Sequence, residues 1–227
     1  MTTRIVEVRA KVLKQNDLLA HALRERFHRD GTCVVGLVSS PGSGKTAFLE
    51  KLLGSLAGEY RVAALVGDLA TENDAARLHR ATPNVKQITT GTICHLDAQM
   101  VQRALESWDL GAVDFLFIEN VGNLVCPSSY DLGEEIRLVL LSATEGEDKP
   151  LKYPTIFNSS DIAVITKMDL AAAAEFDLAA ARRNIEGVRP GMRIFEVSSK
   201  TGLGMEEVAT FLRAQLSSSR VAVEVHR

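Results

Sequence analysis

Residues 39–46, SSPGSGKT, form a glycine-rich loop between two segments with different patterns. The preceding run, residues 33–40, is short and mostly apolar, which predicts a buried strand. The following residues, 46–56, carry apolar side chains at helical spacing. The glycines let backbone N–H groups point inward, and the helix N-terminus adds a positive dipole. A strand, such a loop and a helix in this order predict a phosphate-binding loop in an α/β domain.

Farther along the chain, apolar runs of strand length alternate with helical patterns. Strands are predicted at residues 61–67, 86–88, 113–119, 136–143, 160–167 and 193–199. Helices are predicted at residues 72–80, 96–107, 178–186 and 204–216. This alternation predicts an α/β P-loop NTPase fold, with a mostly parallel central sheet covered by helices on both faces.

The residues before the first strand predict an amphipathic helix. Between positions 13 and 29, Leu18, Leu19, Leu23 and Phe27 recur at helical spacing among charged residues. We expect this helix to pack on the domain that follows. The predicted organisation is an N-terminal helix at residues 1–30, a P-loop domain at 31–217 and a C-terminal tail at 218–227.

Composition and charge limit the classes of partner. The formal net charge of the 227 residues is −3, which argues against a general nucleic-acid or anionic-membrane binder. The first thirty residues lack the apolar stretch of a signal peptide, and no apolar run approaches the ~20 residues that span a bilayer. Three widely spaced cysteines do not suggest a disulfide framework. We therefore expect a cytoplasmic protein with no nucleic-acid or membrane partner.

Each polar group of the phosphate loop has an expected role. Lys45 would reach the β- and γ-phosphates, and Thr46 would place its hydroxyl on Mg²⁺. The strict P-loop pattern has a glycine where this chain has Ser39. The nucleotide contacts predicted in this segment are Gly42, Ser43, Gly44, Lys45, Thr46 and Ala47.

Two later loops indicate which base is bound. Residues 166–169, TKMD, end a predicted strand where a GTPase carries Asn-Lys-x-Asp. Asp169 would accept hydrogen bonds from guanine N1–H and the 2-amino group, neither of which adenine offers. Ser199 and Lys200 lie in a loop similar to the Ser-Ala-Lys loop of GTPases, and Lys167 precedes the aspartate by two residues. Ligands bind at the carboxyl ends of strands in open α/β sheets, so these loops favour GTP and GDP over adenine nucleotides.

Acidic residues at two strand ends complete the predicted hydrolytic site. Asp68 follows the second strand, and Glu119 ends the run DFLFIE in the manner of a Walker B strand. Either carboxylate could hold Mg²⁺ or orient the attacking water, so Lys45, Asp68 and Glu119 are the catalytic candidates and Thr46, Asp68 and Glu119 the magnesium candidates. Gly122 is placed to offer its backbone N–H to the γ-phosphate.

A possible transition-metal site involves Cys94, His95 and Cys126. An isolated Cys-His pair is more typical of a small buried residue beside a hydrogen-bonded imidazole. Cys126, however, lies seven residues after Glu119, on the loop expected to sense the γ-phosphate. Two thiolates and one imidazole suit Ni²⁺ or Zn²⁺. Three ligands leave the site open or completed by a second subunit, whereas Cys33 is expected to fill the core.

The motifs GLVSSPGSGKT, GDLATENDAARL, CHLDAQM, FIENVGNLVCPSSYDLGE and EGEDKPLKYPTIF together resemble the HypB family, whose GTPases assist nickel delivery to nickel–iron hydrogenase. The resemblance covers about residues 31–216. It implies a SIMIBI-class P-loop GTPase that forms a homodimer when GTP is bound. It also implies a metal site of Cys94, His95 and Cys126 at the dimer interface, with a HypA-like nickel chaperone and the hydrogenase large-subunit precursor as partners.

Two departures from the family pattern stand out. The N-terminal residues carry neither the cysteine-rich nor the histidine-rich metal-binding stretch that some HypB proteins have, so the interface site is the expected metal binder. Thr166 replaces the usual asparagine of the guanine motif. We expect base affinity to be modest, while Asp169 still sets base specificity.

Other functions fit parts of the same pattern. A related metallochaperone GTPase could serve urease or a cobalamin enzyme. A non-hydrolysing nickel or zinc module could use nucleotide only as a structural ligand. An ATP-dependent small-molecule kinase would need an adenine preference and an acceptor pocket.

Overall fold

A computed structural model describes residues 2–69, 73–106 and 108–225. The first residue of the helix predicted at 72–80 and the last residue of the helix predicted at 96–107 lie outside the described residues. The same holds for Met1 and for positions 226–227 of the predicted tail.

Seven strands form one fully parallel sheet in the order β3-β2-β4-β1-β5-β6-β7. Their bounds are Cys33–Ser39 (β1), Val62–Asp68 (β2), Val85–Thr89 (β3), Phe115–Glu119 (β4), Ile136–Ser142 (β5), Ile162–Thr166 (β6) and Arg193–Glu196 (β7). The chain extends the sheet first to one side of β1 and then to the other. This places a topological switch point at the carboxyl end of β1, where open α/β sheets bind ligands.

The helices, in chain order, are Thr2–Asp30 (α1), Lys45–Leu56 (α2), Asn73–Leu78 (α3), Ala98–Leu105 (α4), Lys149–Lys152 (α5), Pro154–Asn158 (α6), Leu178–Val188 (α7) and Met205–Val225 (α8). The predicted fold class, a SIMIBI-type P-loop domain with a parallel sheet and an N-terminal helix, is confirmed. Within the described residues, no helix is both long enough and apolar enough to cross a bilayer.

Helices cover both faces of the sheet because alternate side chains of each buried strand point to opposite faces. On one face, Phe48 of α2 and Leu212 of α8 pack in a cluster with Val35 of β1. On the other face, Phe27 of α1 and Val34 of β1 belong to a second cluster. Each such side chain, taken fully out of water, stabilises the fold by about 1.5–3 kcal/mol.

The second face has two halves. Over β1, β2 and β4, α1 and α4 bury Phe27 and Val101. Over β5 and β6, α6 and α7 bury Phe157 and Ile185 against Val139. Helix α1 begins at Thr2, before the apolar pattern at residues 13–29, and contacts the sheet at β1.

Two segments differ from the sequence predictions. The segment predicted as a tail from residue 218 continues α8 as far as Val225. Contacts with the domain favour this extension: Ser219 Oγ donates to Glu135 Oε1 at 2.8 Å, and Arg220 forms an ion pair with Asp114. In addition, the short helices α5 and α6 lie where no element was predicted.

Candidate functional site

The phosphate loop has the backbone that its glycines permit. Gly42 and Gly44 adopt φ values of 75° and 93°, in the left-handed region that side-chain-bearing residues rarely occupy. Gly44 also caps the N-terminus of α2, and its carbonyl oxygen accepts a hydrogen bond from Phe48 N at 2.9 Å. The loop therefore presents the N-terminal N–H groups of α2 toward the carboxyl edge of the sheet.

Ser39, the departure from the strict P-loop pattern, contacts the key side chains of the loop. Its Oγ accepts a hydrogen bond from Lys45 Nζ at 3.0 Å and another from Ser43 Oγ at 2.5 Å. Burial lowers the pKa of Lys45. The serine thus gives the buried ammonium group a polar partner that a glycine could not supply.

A cavity of about 410 Å³ opens beside this loop at the carboxyl ends of β1, β2 and β4. The residues lining it include most of the predicted phosphate and magnesium residues: Gly42, Gly44, Lys45, Thr46, Ala47, Asp68, Glu119 and Gly122. Its lining also includes three polar or charged residues that the sequence analysis did not single out: Asp74, Arg77 and Asn120. Ser43 is fully buried behind the loop instead of lining the cavity.

Glu119 and Thr46 form the polar centre of the cavity. Thr46 Oγ1 donates to Glu119 Oε1 at 2.7 Å, whereas Glu119 Oε2 is buried and has no hydrogen-bond partner among the described residues. Burial raises the pKa of Glu119 to about 7, against the opposing charge of Lys45. A hydroxyl beside a carboxylate with a bare oxygen suits Mg²⁺, which prefers oxygen ligands and would stabilise the ionised form. The residues present therefore fit the predicted ion.

The loop after β4 lies directly on the phosphate loop. A Cβ at Gly122 would lie 2.9 Å from Pro41 Cα, so only glycine fits this contact. One residue further, Asn123 forms an isolated antiparallel bridge with Ser39. The phosphate loop is therefore in direct contact with the segment that leads to Cys126.

The predicted base-binding residues meet the phosphate loop from the other side. Lys167 adopts φ 57°, and its Nζ donates to Gly42 O at 2.6 Å. Asp169 Oδ1 accepts a hydrogen bond from Ser198 Oγ at 2.6 Å, which orients the carboxylate. A neighbouring cavity of about 810 Å³ is lined by residues that include Ala47, Arg77, Ser199 and Lys200. Ala47 and Arg77 border both cavities.

Arg77 lies on α3 with its Nε 2.5 Å from Glu50 Oε2 on α2. Arg80, one turn later, lies 3.9 Å from the other oxygen of the same carboxylate and does not line either cavity. No sequence pattern indicates a role for Arg77, because a basic residue on an amphipathic helix is most often solvent-facing.

The three predicted transition-metal ligands come together in space. The ligand atoms of Cys94, His95 and Cys126 all lie within 4.8 Å of one another, and the two sulfur atoms are 2.9 Å apart. His95 Nδ1 is buried and has no hydrogen-bond partner among the described residues. Hydrogen bonding to Cys126, followed by burial, raises the pKa of Cys94. Two sulfurs and an unpartnered imidazole nitrogen are a donor set that fits Ni²⁺ or Zn²⁺.

Side chains around this cluster fix its loops. The rings of His95 and Tyr130 have centroids 4.0 Å apart. Asn123 Nδ2 donates to Cys94 O at 3.3 Å. Asn120 Oδ1 accepts from Leu96 N and from Val121 N, both at 2.9 Å. Asn120 follows Glu119 directly, so the cluster and the phosphate cavity share the end of β4.

Cys33 is separate from this cluster. It is fully buried in β1, as predicted, and burial raises the pKa of its thiol to about 12. Its sulfur therefore belongs to the core.

A phosphate loop at the switch point of a parallel sheet, together with an oriented aspartate at the base end, defines a P-loop GTPase fold. Residues 33–196 match the family model described as CobW/HypB/UreG, nucleotide-binding domain. The chain belongs to this family and to its HypB branch, as comparison with individual relatives indicates.

The chain is 42% identical to the hydrogenase maturation factor HypB of Rhizobium leguminosarum bv. viciae, over 97% of this chain and 73% of the relative. It is similar to the crystal structure of HypB from Helicobacter pylori in complex with nickel, with a TM-score of 0.85, 40% identity and coverage of 90% and 96%. The HypB structure from Archaeoglobus fulgidus gives a TM-score of 0.83, 38% identity and coverage of 89% and 99%.

Proposed function

We propose that the protein hydrolyses GTP with Mg²⁺ and uses the nucleotide state to control a nickel- or zinc-binding site, from which nickel is delivered for assembly of a hydrogenase. One observation carries this proposal. Glu119 faces the phosphate cavity, and the next residue, Asn120, holds the loop that bears Cys94 and His95. A change at the γ-phosphate therefore has a short route to the metal ligands, through the Glu119–Asn120 peptide bond and the hydrogen bond from Leu96 N to Asn120 Oδ1.

At the phosphate end, the chain binds and orients the nucleotide. The N–H groups of the loop from Gly42 to Thr46 and the Lys45 ammonium stabilise negative charge that develops on the phosphate oxygens. When bound, Mg²⁺ neutralises phosphate charge, and Thr46 and Glu119, with Asp68 or Asp74, would hold it. A second carboxylate of this set can then orient the attacking water.

At the base end, Asp169 sets the preference for guanine. Its carboxylate accepts hydrogen bonds from N1–H and the 2-amino group, and the hydroxyl of Ser198 keeps it in position. Lys167 lies over the loop at Gly42 and Gly44, with its Cε 3.7 Å from where a Gly44 Cβ would be. Ser199 and Lys200 complete this end of the site.

At the metal end, nickel is the cargo. Cys94, His95 and Cys126 offer three ligands, so the fourth position is open or is filled across an interface with a second copy. We propose that two GTP-bound chains form a homodimer at this surface. A partner of the HypA type would supply nickel, and a hydrogenase large-subunit precursor would receive it. The names of the relatives, hydrogenase maturation factors, support a hydrogenase as the destination of the nickel.

A reducing compartment suits such a site, because thiolate ligands must stay free of disulfides. We therefore place the protein in the cytoplasm, without nucleic-acid or membrane partners.

Metal titration of the protein with GDP and with a non-hydrolysable GTP analogue tests the coupling. Ni²⁺ and Zn²⁺ affinity should differ between the two states, with thiolate absorption and mass reporting the same stoichiometry. Lys45→Ala should abolish turnover, whereas Cys126→Ala should spare GTP binding. Equal metal affinity in both nucleotide states would refute the coupling, and loss of GTP binding in Cys126→Ala would refute the division of roles.

A second candidate function, urease maturation, is favoured by the names of several relatives from Helicobacter. The protein of Helicobacter pylori strain 26695 named hydrogenase/urease maturation factor HypB is 42% identical, over 91% of this chain and 86% of the relative. A deletion strain distinguishes the two functions. If added nickel rescues hydrogenase activity in this strain, and urease activity is unaffected by the deletion with or without added nickel, only the hydrogenase role is supported.

A further inference from the structure

Asn16, a residue of the N-terminal helix α1, joins three elements of the fold. It is 6% exposed, and both ends of its side-chain amide are hydrogen-bonded. Its Oδ1 accepts from Ala98 N at 2.9 Å, and its Nδ2 donates to Asp131 O at 2.8 Å. A buried asparagine with both functions satisfied across distant segments fixes the spacing of those segments.

The two segments that Asn16 joins are those that carry the candidate metal ligands. Ala98 is the first residue of α4, four residues after Cys94. Asp131 follows Tyr130, whose ring stacks on His95, and lies five residues after Cys126. Asn16 therefore connects the C-terminal ends of the two ligand-bearing segments.

Hydrogen bonds from α1 reach both segments at this point, in addition to the apolar packing of α1 on α4. A cavity of about 110 Å³ remains between α1 and the two segments, lined by residues that include Val12, Asn16, Asp97 and Tyr130. Farther along α1, Arg24 Nη2 donates to both carboxylate oxygens of Asp131, at 2.7 and 2.8 Å. Helix α1 thus binds the Cys126 segment through two side chains, Asn16 and Arg24. Its hydrogen bond to the backbone of the Cys94 segment comes from the amide of Asn16.

We propose that Asn16 is a positioning residue for the metal site: it sets the separation between the Cys94–His95 segment and the Cys126–Tyr130 segment, which makes α1 a structural part of that site. This inference rests on the proposed metal-binding function. Hydrogen-bonding groups behind a metal ligand commonly determine affinity, because they fix the ligand geometry before the ion arrives.

The experiment compares Asn16→Ala with the wild-type chain and with Phe27→Leu. Removing the amide should lower Ni²⁺ and Zn²⁺ affinity by about 10-fold and change the thiolate-to-nickel absorption band, while GDP affinity stays within about 2-fold of the wild type. Phe27 is buried near the C-terminal end of α1, so its truncation weakens helix packing without removing a hydrogen bond to the metal segments. Phe27→Leu should therefore lose stability and keep wild-type metal affinity.

A second variant keeps the inference testable if Asn16→Ala fails to fold. Asn16→Asp retains an acceptor for Ala98 N but places a carboxylate oxygen against the carbonyl oxygen of Asp131, so it should also lower metal affinity. Unchanged metal affinity in either variant that folds would overturn the inference. A loss in Phe27→Leu equal to that in Asn16→Ala would also overturn it, since helix packing would then explain the effect. If wild type and Cys126→Ala bound metal equally, the proposed metal site itself would be wrong.

Discussion

The hydroxyl of Thr166 donates a hydrogen bond to the carbonyl oxygen of Ser43, with 2.7 Å between the two oxygens. Thr166 ends β6 and leads into the predicted guanine-binding segment, whereas Ser43 lies in the phosphate loop. Both residues are buried. Although the usual asparagine is absent, a polar side chain still ties the base end of the site to the phosphate end.

Replacing Thr166 with valine should weaken this tie. The carbonyl of Ser43 would lose its partner in a buried place, which costs about 1–3 kcal/mol of unfolding free energy. Affinity should fall for GDP and GTP alike, because the substitution loosens loops that bind both nucleotides and removes no contact with the γ-phosphate. Thr166→Ser keeps the hydroxyl and should retain most of both properties. Denaturant unfolding and calorimetric titration measure them, and a valine variant that binds GDP normally would contradict the assigned tie.

Asp169 should decide which base is bound. An amide at this position cannot accept two hydrogen bonds from guanine, but its NH₂ group can donate to the 2-carbonyl of xanthine. Asp169→Asn should therefore lower GDP affinity about 10- to 100-fold, the cost of hydrogen bonds to a charged group, and raise XDP affinity. Fluorescence titration with GDP, XDP and ADP measures the change. If the variant gained affinity for ADP in place of XDP, Asp169 would not contact the guanine edge.

Arg77 should contribute to nucleotide binding, because it borders both the phosphate cavity and the cavity beside Ser199 and Lys200. Arg77→Ala should raise the KM for GTP several-fold, since a guanidinium near phosphate adds charge-assisted binding. Arg80, two residues beyond the end of α3, is a matched control that also lies near Glu50. Arg80→Ala should leave steady-state kinetics unchanged; an equal effect of both variants would indicate a role for Glu50 or α3 instead.

The sequence predicted the parts of the fold and site that follow from local pattern. Buried strands such as β1 and β5 are mostly apolar, so their pattern is visible without a structure. The glycines around Lys45 and the residue types of Cys94, His95 and Cys126 indicated their chemistry in the same way. These ligands meet within 4.8 Å, as the proposed chemistry requires.

What the sequence did not predict depends on tertiary contacts. Asn16 and Asn120 act through backbone groups 82 and 24 residues away, and a single asparagine carries no pattern that indicates such a partner. The three serines at 217–219 have weak helix propensity, so the sequence predicts a tail where the structure has the end of α8. The contact of Ser219 with Glu135 and the ion pair of Arg220 favour helix instead.

Thiol reactivity should separate the three cysteines. At pH 8, Cys33, with a pKa of about 12, holds roughly one thiolate in 10,000 molecules and is fully buried, so it should not react in the folded protein. Cys94 and Cys126 are partly exposed and should react with a disulfide reagent. The metal-free native chain should therefore release two equivalents, and the denatured chain three. Saturating Zn²⁺ should suppress the native reaction, and rapid labelling of both thiols despite bound Zn²⁺ would argue against thiolate ligation.

Asn120 should carry the coupling between nucleotide and metal. Its Oδ1 binds Leu96 N in the segment of the Cys-His pair and Val121 N in the loop after β4, so it connects the end of the Glu119 strand to the metal ligands. Asn120→Ala should bring the ratio of metal affinities in the GDP and GTP-analogue states close to one, because the coupling free energy is lost.

Asn123 provides the control for this coupling. Its side chain is hydrogen-bonded to Cys94 O and Val125 N, which belong to the two metal-bearing segments. Leu96 N, in contrast, is hydrogen-bonded to Asn120. Asn123→Ala should lower metal affinity in both nucleotide states and preserve their ratio, since the ligands loosen but the connection to Glu119 persists. Titration of both variants in both states separates the two effects. If Asn123→Ala abolished the ratio and Asn120→Ala did not, the signal would pass through the bridge between Ser39 and Asn123 and not through Asn120.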